Sequence, residues 1–235
     1  MTGAIPDAAP LPMKQIPLAI ALDAEHSFES FVPGPNGLTF QHVRDLTPGS
    51  TPLYLWGPTG SGKTHLLQAL AQQQQRRGAR VGWFSAADAL PWTHDEAWSL
   101  IVLDDCDRFD AHQQQAAFAL FVEAGSHGTA VAAAGRMPPV DLTLRDDLRS
   151  RLGWGVVLAL QPLSEADSRA ALRREADRRG LFLSDEVMDY LLNRFARDLK
   201  HLMAWLDRLD DFALLSKRAI SVPMLRQMLA EKGGE

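Results

Sequence analysis

Apolar residues recur along this chain in two rhythms. Short runs of four or five, Leu53 to Trp56, Val81 to Phe84, Leu100 to Leu103, Ala130 to Ala134 and Val156 to Leu160, read as strands. The near-continuous apolar character of Leu100-Ile101-Val102-Leu103 suits a parallel sheet buried on both faces. Between these runs the spacing is helical. Leu66, Leu67, Leu70 and Ala71 follow Lys63 at helical intervals, and Arg76-Arg77-Gly78 ends the segment with cations and a glycine, which favour the dipole and the cap. Gln113 to Val122 reads as another helix. Strands alternating with helices indicate an α/β fold, an open parallel sheet with helices packed on both sides.

After about Gln161 the texture changes to helices alone. Ser164 with Asp167 resembles a capping box, and Ser184 precedes an acidic first turn at Asp185 and Glu186. Leu199, Leu202, Met203, Leu206, Leu209 and Phe212 form the buried stripe of a third helix, and Pro223 stands where a last one would start, after the β-like Ile220-Ser221-Val222. The expected organisation is a flexible leader over residues 1–24, an α/β domain over 25–160 and a small all-α lid over 161–235.

Composition narrows the class. The 235 residues are 46% hydrophobic and 23% charged, ordinary globular values. A net charge of -5 argues against a domain built to grip phosphate backbones, and residues 161–235 carry thirteen Lys and Arg against thirteen Asp and Glu. A single cysteine, Cys106, excludes an internal disulfide and a multi-cysteine metal site. Neither a secretory leader nor a membrane-spanning run is present, so the expected location is the cytoplasm, with no membrane contact.

Gly57-Pro58-Thr59-Gly60-Ser61-Gly62-Lys63-Thr64 fits the phosphate-loop pattern at every fixed position and stands between a strand and a helix. There the glycines let backbone N–H groups curl around phosphates, Lys63 reaches the β and γ phosphates, and the Thr64 hydroxyl holds Mg²⁺. His65 belongs to the same candidate nucleotide site. The strand Leu100 to Leu103 ends in Asp104-Asp105, at the carboxyl edge of the sheet. Asp104 is the expected metal-shell carboxylate and Asp105 a candidate to orient an attacking water. Phosphoryl transfer also uses an arginine, sometimes from a neighbouring subunit, and Arg151 and Arg197 are the candidates.

With these motifs in order the chain resembles the AAA+ superfamily in its DnaA branch, and within it the regulatory inactivators of the DnaA initiator, over roughly residues 13–229. Further fragments carry the likeness: Ser27-Phe28-Glu29-Ser30-Phe31, Leu53-Tyr54-Leu55-Trp56, Arg149-Ser150-Arg151-Leu152-Gly153-Trp154 and Leu160-Gln161-Pro162-Leu163-Ser164. The resemblance implies that Phe28, Phe31, Gly34 and Asn36 pack around a nucleotide base. It also implies that Arg151 is an arginine finger, that Arg197 is the sensor-2 arginine, and that the cofactor is ADP or ATP with Mg²⁺. One position departs from the family pattern. An aspartate usually precedes the arginine of the sensor-1 segment, whereas this chain has Ala134-Gly135-Arg136. That departure favours ADP as a structural cofactor over self-hydrolysis.

Gln15-Ile16-Pro17-Leu18-Ala19-Ile20 resembles the hexapeptide by which this group docks on the replicative sliding clamp. In such a mode Leu18 and Ile20 enter an apolar groove, with Ile16 alongside and the Gln15 amide at the rim. The expected partners are therefore the DnaA initiator and the clamp, with DNA met only through the clamp; a homo-oligomer is compatible with the family. DnaA itself carries a basic helix-turn-helix domain after the lid, and with the sequence running only to Glu235 no such domain is expected here. The expected function is a regulator that promotes hydrolysis of DnaA-bound ATP and so prevents re-initiation of replication. Its rivals are an autonomous ATPase of the helicase-loader type, a non-catalytic clamp adaptor and a short duplex-DNA-binding initiator.

Overall fold

The computed structural model describes residues 26–195, 199–216 and 220–231. Its sheet has five parallel strands, β1 (Leu53–Trp56), β2 (Arg80–Phe84), β3 (Trp98–Leu103), β4 (Ala130–Gly135) and β5 (Val156–Ala159), in the order β2-β3-β4-β1-β5. All five expected strands are present. β4 lies between β3 and β1, with Tyr54 opposite Ala133 and Ala133 opposite Leu103.

The two faces of the sheet use alternate residues, as the strand period requires. Leu53, Leu55, Leu100 and Val102 pack with Leu66, Leu67 and Leu70 of α2 (Lys63–Arg76) and with Val43 of α1 (Gly37–Arg44). Tyr54, Ile101 and Leu103 pack on the other face with Leu120 and Phe121 of α3 (Ala111–His127) and with Leu148 and Leu152 of α4 (Asp146–Trp154). A core on both faces explains why β3 reads as an unbroken apolar run.

The lid comprises α5 (Glu165–Arg178), α6 (Asp185–Phe195), α7 (Leu199–Ser216) and α8 (Val222–Glu231). Ser164 caps α5, its side chain accepting from the Asp167 amide while the Asp167 carboxylate accepts from the Ser164 amide. Leu202, Leu206 and Leu209 of α7 are fully buried against Leu172, Met188, Leu191 and Leu225. Val222, expected in an extended segment, is instead the first residue of α8, because Pro223 in the first turn has no N–H to lose there. Two helices, α1 and α4, lack a sequence signal strong enough to announce them; α4 buries only Leu148 and Leu152.

Candidate functional site

The phosphate loop leaves β1 and enters α2 through a backbone that other residues would obstruct. A β-carbon on Gly57 would lie 2.2 Å from the Leu160 carbonyl oxygen, and Gly62, at φ +97°, would drive one to 2.8 Å from the Phe31 ring. Gly62 is also the residue that caps α2, so the amide groups of its first turn have no side-chain acceptor from the cap position. Amides at a helix start, in a turn with Gly60 and Gly62 at positive φ, form a concave donor surface suited to phosphate oxygens.

Lys63 is buried, and its ammonium donates to the carbonyl oxygens of Gly57 and Pro58 at 2.8 and 2.9 Å. Burial pushes its pKa down, against the pull of Asp105, Asp104 and Asp107 in the other direction. Asp104 is buried too; loss of solvent raises its pKa, opposed by the Thr64 hydroxyl that donates to it. That hydroxyl is 2.8 Å from Asp104 Oδ2, so residues forty positions apart meet as one oxygen pair at the foot of the loop. A hydroxyl and a carboxylate beside a phosphate cradle suit a hard divalent cation such as Mg²⁺, so the residues present fit a magnesium nucleotide. Asp105 adopts the left-handed conformation (φ 52°), and its partly exposed carboxylate lies 3.6 Å from the Arg108 guanidinium.

The segment expected to hold a sensor side chain is shaped by two residues that sequence reasoning did not select. Tyr54, fully buried, crosses from β1 and donates to the Met137 carbonyl at 2.9 Å. Its hydroxyl lies 2.2 Å from where a β-carbon on Gly135 would stand, so the tyrosine fills the volume a side chain there would need. Asp107 accepts from both the Arg136 amide and its guanidinium, which keeps Arg136 charged and tethered beside the loop. No local pattern announces either contact, since each partner lies on a different strand or loop.

The amino-terminal segment braces the loop against the linker to the lid. Phe31 stacks on Phe40 at 5.6 Å and meets the His65 ring edge-on at 5.3 Å, while Phe28 packs edge-on against Phe40. The His65 Nε2 is 2.9 Å from the Ser27 carbonyl, which can only accept, and burial pushes the imidazole pKa down. Asn36 is buried; its amide donates to the Gln161 carbonyl at 2.9 Å and its carbonyl accepts from the Gln161 amide at 2.8 Å. Thr39 reaches the Ala159 carbonyl, and a β-carbon on Gly34 would strike Leu163 at 2.5 Å. Phe31, Gly34, Asn36 and His65 thus tie the phosphate loop to residues 159–163.

Arg151 is exposed on α4. Its neighbours Arg145 and Arg149 are tied to Asp147 and Asp146, but among the described residues Arg151 has no ion-pair or side-chain hydrogen-bond partner. Arg197 and the Gln15 to Ile20 segment, with Ile16 and Leu18, lie outside the described residues. No described helix is long and apolar enough to cross a membrane.

Two family models match this chain: the bacterial DnaA ATPase domain over residues 22–92 and the lid domain of Hda over residues 165–229. Domain III of the Thermotoga maritima replication initiation protein DnaA superposes with a TM-score of 0.75 at 20% identity, over 89% of this chain and 97% of that one. The AMPPCP-bound DnaA of Aquifex aeolicus gives 0.64 at 24% identity, over 78% and 64%. The RuvB Holliday junction branch migration motor of Thermotoga maritima gives 0.58 at 16%, over 77% and 61%. The fold is that of the AAA+ proteins, with a parallel sheet, flanking helices and a helical lid.

Proposed function

We infer that this chain, an Hda/DnaA-related AAA+ protein, is a nucleotide-dependent regulator that lends Arg151 to ATP held by a DnaA-type initiator. The observation that carries the reading is the state of that arginine: exposed on α4, flanked by paired arginines and itself without a partner among the described residues. An exposed guanidinium with no partner of its own is available to a neighbour's phosphate oxygens, and its place in Arg149-Ser150-Arg151-Leu152, the segment that resembles the family's finger, distinguishes it from the other exposed arginines.

The chain's own nucleotide, ADP or ATP with Mg²⁺, would supply negative charge that ties the loop, the amino-terminal segment and the lid linker into one body. Lys63 would turn from the Gly57 and Pro58 carbonyls to phosphate oxygens, and Thr64 with Asp104 would hold the cation shell. The Gly135 position supports a holder over a self-hydrolysing enzyme, because Tyr54 occupies the space of a sensor side chain. Asp105, whose charge acts on Lys63, would then serve the site electrostatically in place of orienting an attacking water, and Arg197 would approach the nucleotide from the lid.

On the partner, water would attack the γ-phosphorus as its bond to the β–γ bridging oxygen breaks and ADP leaves, while Arg151 would neutralise charge on the transferred oxygens, a contribution of about 10³ to 10⁵ in rate for an arginine finger. Docking through Gln15 to Ile20 on a DNA-loaded sliding clamp would bring regulator and initiator together. The test is nucleotide turnover with purified initiator, clamp and DNA, each omitted in turn. Arg151→Ala should keep its melting transition and clamp binding and lose the stimulation. Stimulation that survives the substitution, or turnover by the isolated chain at the same rate, refutes the reading.

A further inference from the structure

We infer that His94, Glu123 and His127 form a site for a divalent transition-metal ion, Zn²⁺ being the best match to two imidazoles and a carboxylate. The three residues come from two places. His94 lies in the loop before β3, and Glu123 and His127 are one turn apart at the end of α3. Because the strands are parallel, this is the sheet edge opposite the phosphate loop, and the site is separate from the Thr64–Asp104 pair.

One ring nitrogen of each histidine and one Glu123 carboxylate oxygen already lie within 4.8 Å of one another. Tetrahedral zinc needs its ligand atoms roughly 3.3 Å apart; Glu123 Oε2, now 3.9 Å from His127 Nδ1, would swing towards Nε2, a rotation that this exposed side chain can make while the ring stays in place. The histidine rings stack, with centroids 4.9 Å apart.

Each ring is also held by a second contact of the kind that orients metal-bound histidines. His127 Nδ1 is 2.9 Å from the Glu123 carbonyl oxygen, an acceptor only, so Nδ1 carries the proton and Nε2 keeps its lone pair. The Thr129 hydroxyl donates to the Trp98 carbonyl at 3.1 Å, so its oxygen accepts from His94 Nε2 at 3.4 Å, leaving Nδ1 of His94 with the lone pair. Glu96 adds a second carboxylate, 3.7 Å from His127 Nε2. The carboxyl end of a helix favours a cation, and His127 is the last residue of α3. An ion held here would clip α3 to the loop that leads into β3, while water or Glu96 completes the coordination.

The probe is Co²⁺, titrated into the full chain with Mg²⁺ and ADP present to saturate the phosphate loop, and followed by its visible ligand-field absorption. One equivalent should bind and be displaced by Zn²⁺. Glu123→Gln, an exposed change that leaves the metal-free melting transition unaltered, should weaken binding at least about tenfold, as should His94→Ala and His127→Ala. His112→Ala, at the other end of α3, should leave the titration unchanged. Absence of saturable binding, or binding untouched by all three ligand substitutions, overturns the site.

Discussion

Removing one oxygen atom should make the interior of the sheet tolerate a residue it now rejects. A β-carbon at position 135 would lie 2.2 Å from the Tyr54 hydroxyl and 3.2 Å from the ring carbon bearing it. The tyrosine is fully buried and anchored by its bond to the Met137 carbonyl, so it has no open direction in which to retreat. Gly135→Ala alone should therefore cost about 1–3 kcal/mol of stability, the range for overpacking a filled core. Tyr54→Phe alone removes the hydrogen bond to the Met137 carbonyl, for about 0.5–1.5 kcal/mol, since Met137 is itself exposed. In the double variant the 2.2 Å contact no longer exists, while the ring carbon at 3.2 Å and Asp107 Oδ1 at 3.3 Å still press on the methyl group and must give slightly. The pair should therefore recover most of the Gly135→Ala penalty, giving a favourable coupling on the order of 1–2 kcal/mol. Urea unfolding of the four proteins at neutral pH measures it, with equal slopes required for the comparison. Single effects that add to within about 0.5 kcal/mol would show that the tyrosine does not exclude a side chain there.

Thr64→Val should lower affinity for nucleotide in the presence of Mg²⁺ at least about tenfold while changing the Mg²⁺-free affinity little, because it removes only the hydroxyl of the Thr64–Asp104 pair; a fluorescent-nucleotide titration with and without the cation separates the two. Asn36→Ala leaves the amide and carbonyl of Gln161 without their partner and should cost about 1–3 kcal/mol in chemical unfolding, with weaker nucleotide binding as the linker loosens. Glu175 is held down to about 2 by hydrogen bonds from Arg178 and Arg179, against the effect of its partial burial. Its folded pKa lies below its unfolded one, so its contribution is complete above about pH 4.5 and disappears as the pH falls towards 2. The carboxylate is itself mostly covered, but its Arg178 partner stands open to solvent, which screens the pair, so the contribution is about 1 kcal/mol, and Glu175→Gln should narrow the stability difference between pH 6 and pH 3 by about that.

The amino-acid order by itself determined whatever depends on neighbours in the chain. Short apolar runs specify β1 to β5 and helical rhythms the lid helices, because burial of both sheet faces and of one helix face requires them. Eight consecutive residues, Gly57 to Thr64, suffice for the phosphate loop, since its shape depends on local backbone freedom and on the helix that follows. Helix α4 was missed for a local reason: only Leu148 and Leu152 face the core, too few to reveal a period. Folding decided everything that joins distant residues. The insertion of β4 between β3 and β1 aligns the strand ends from which Thr64 meets Asp104, and the same packing sets Tyr54 into the space of a side chain at 135. Asn36 finds Gln161 across 125 positions, and His94 faces His127 only because β3 and β4 start at the same edge. Such contacts follow from strand order and crossover, and these are set by how the whole core packs.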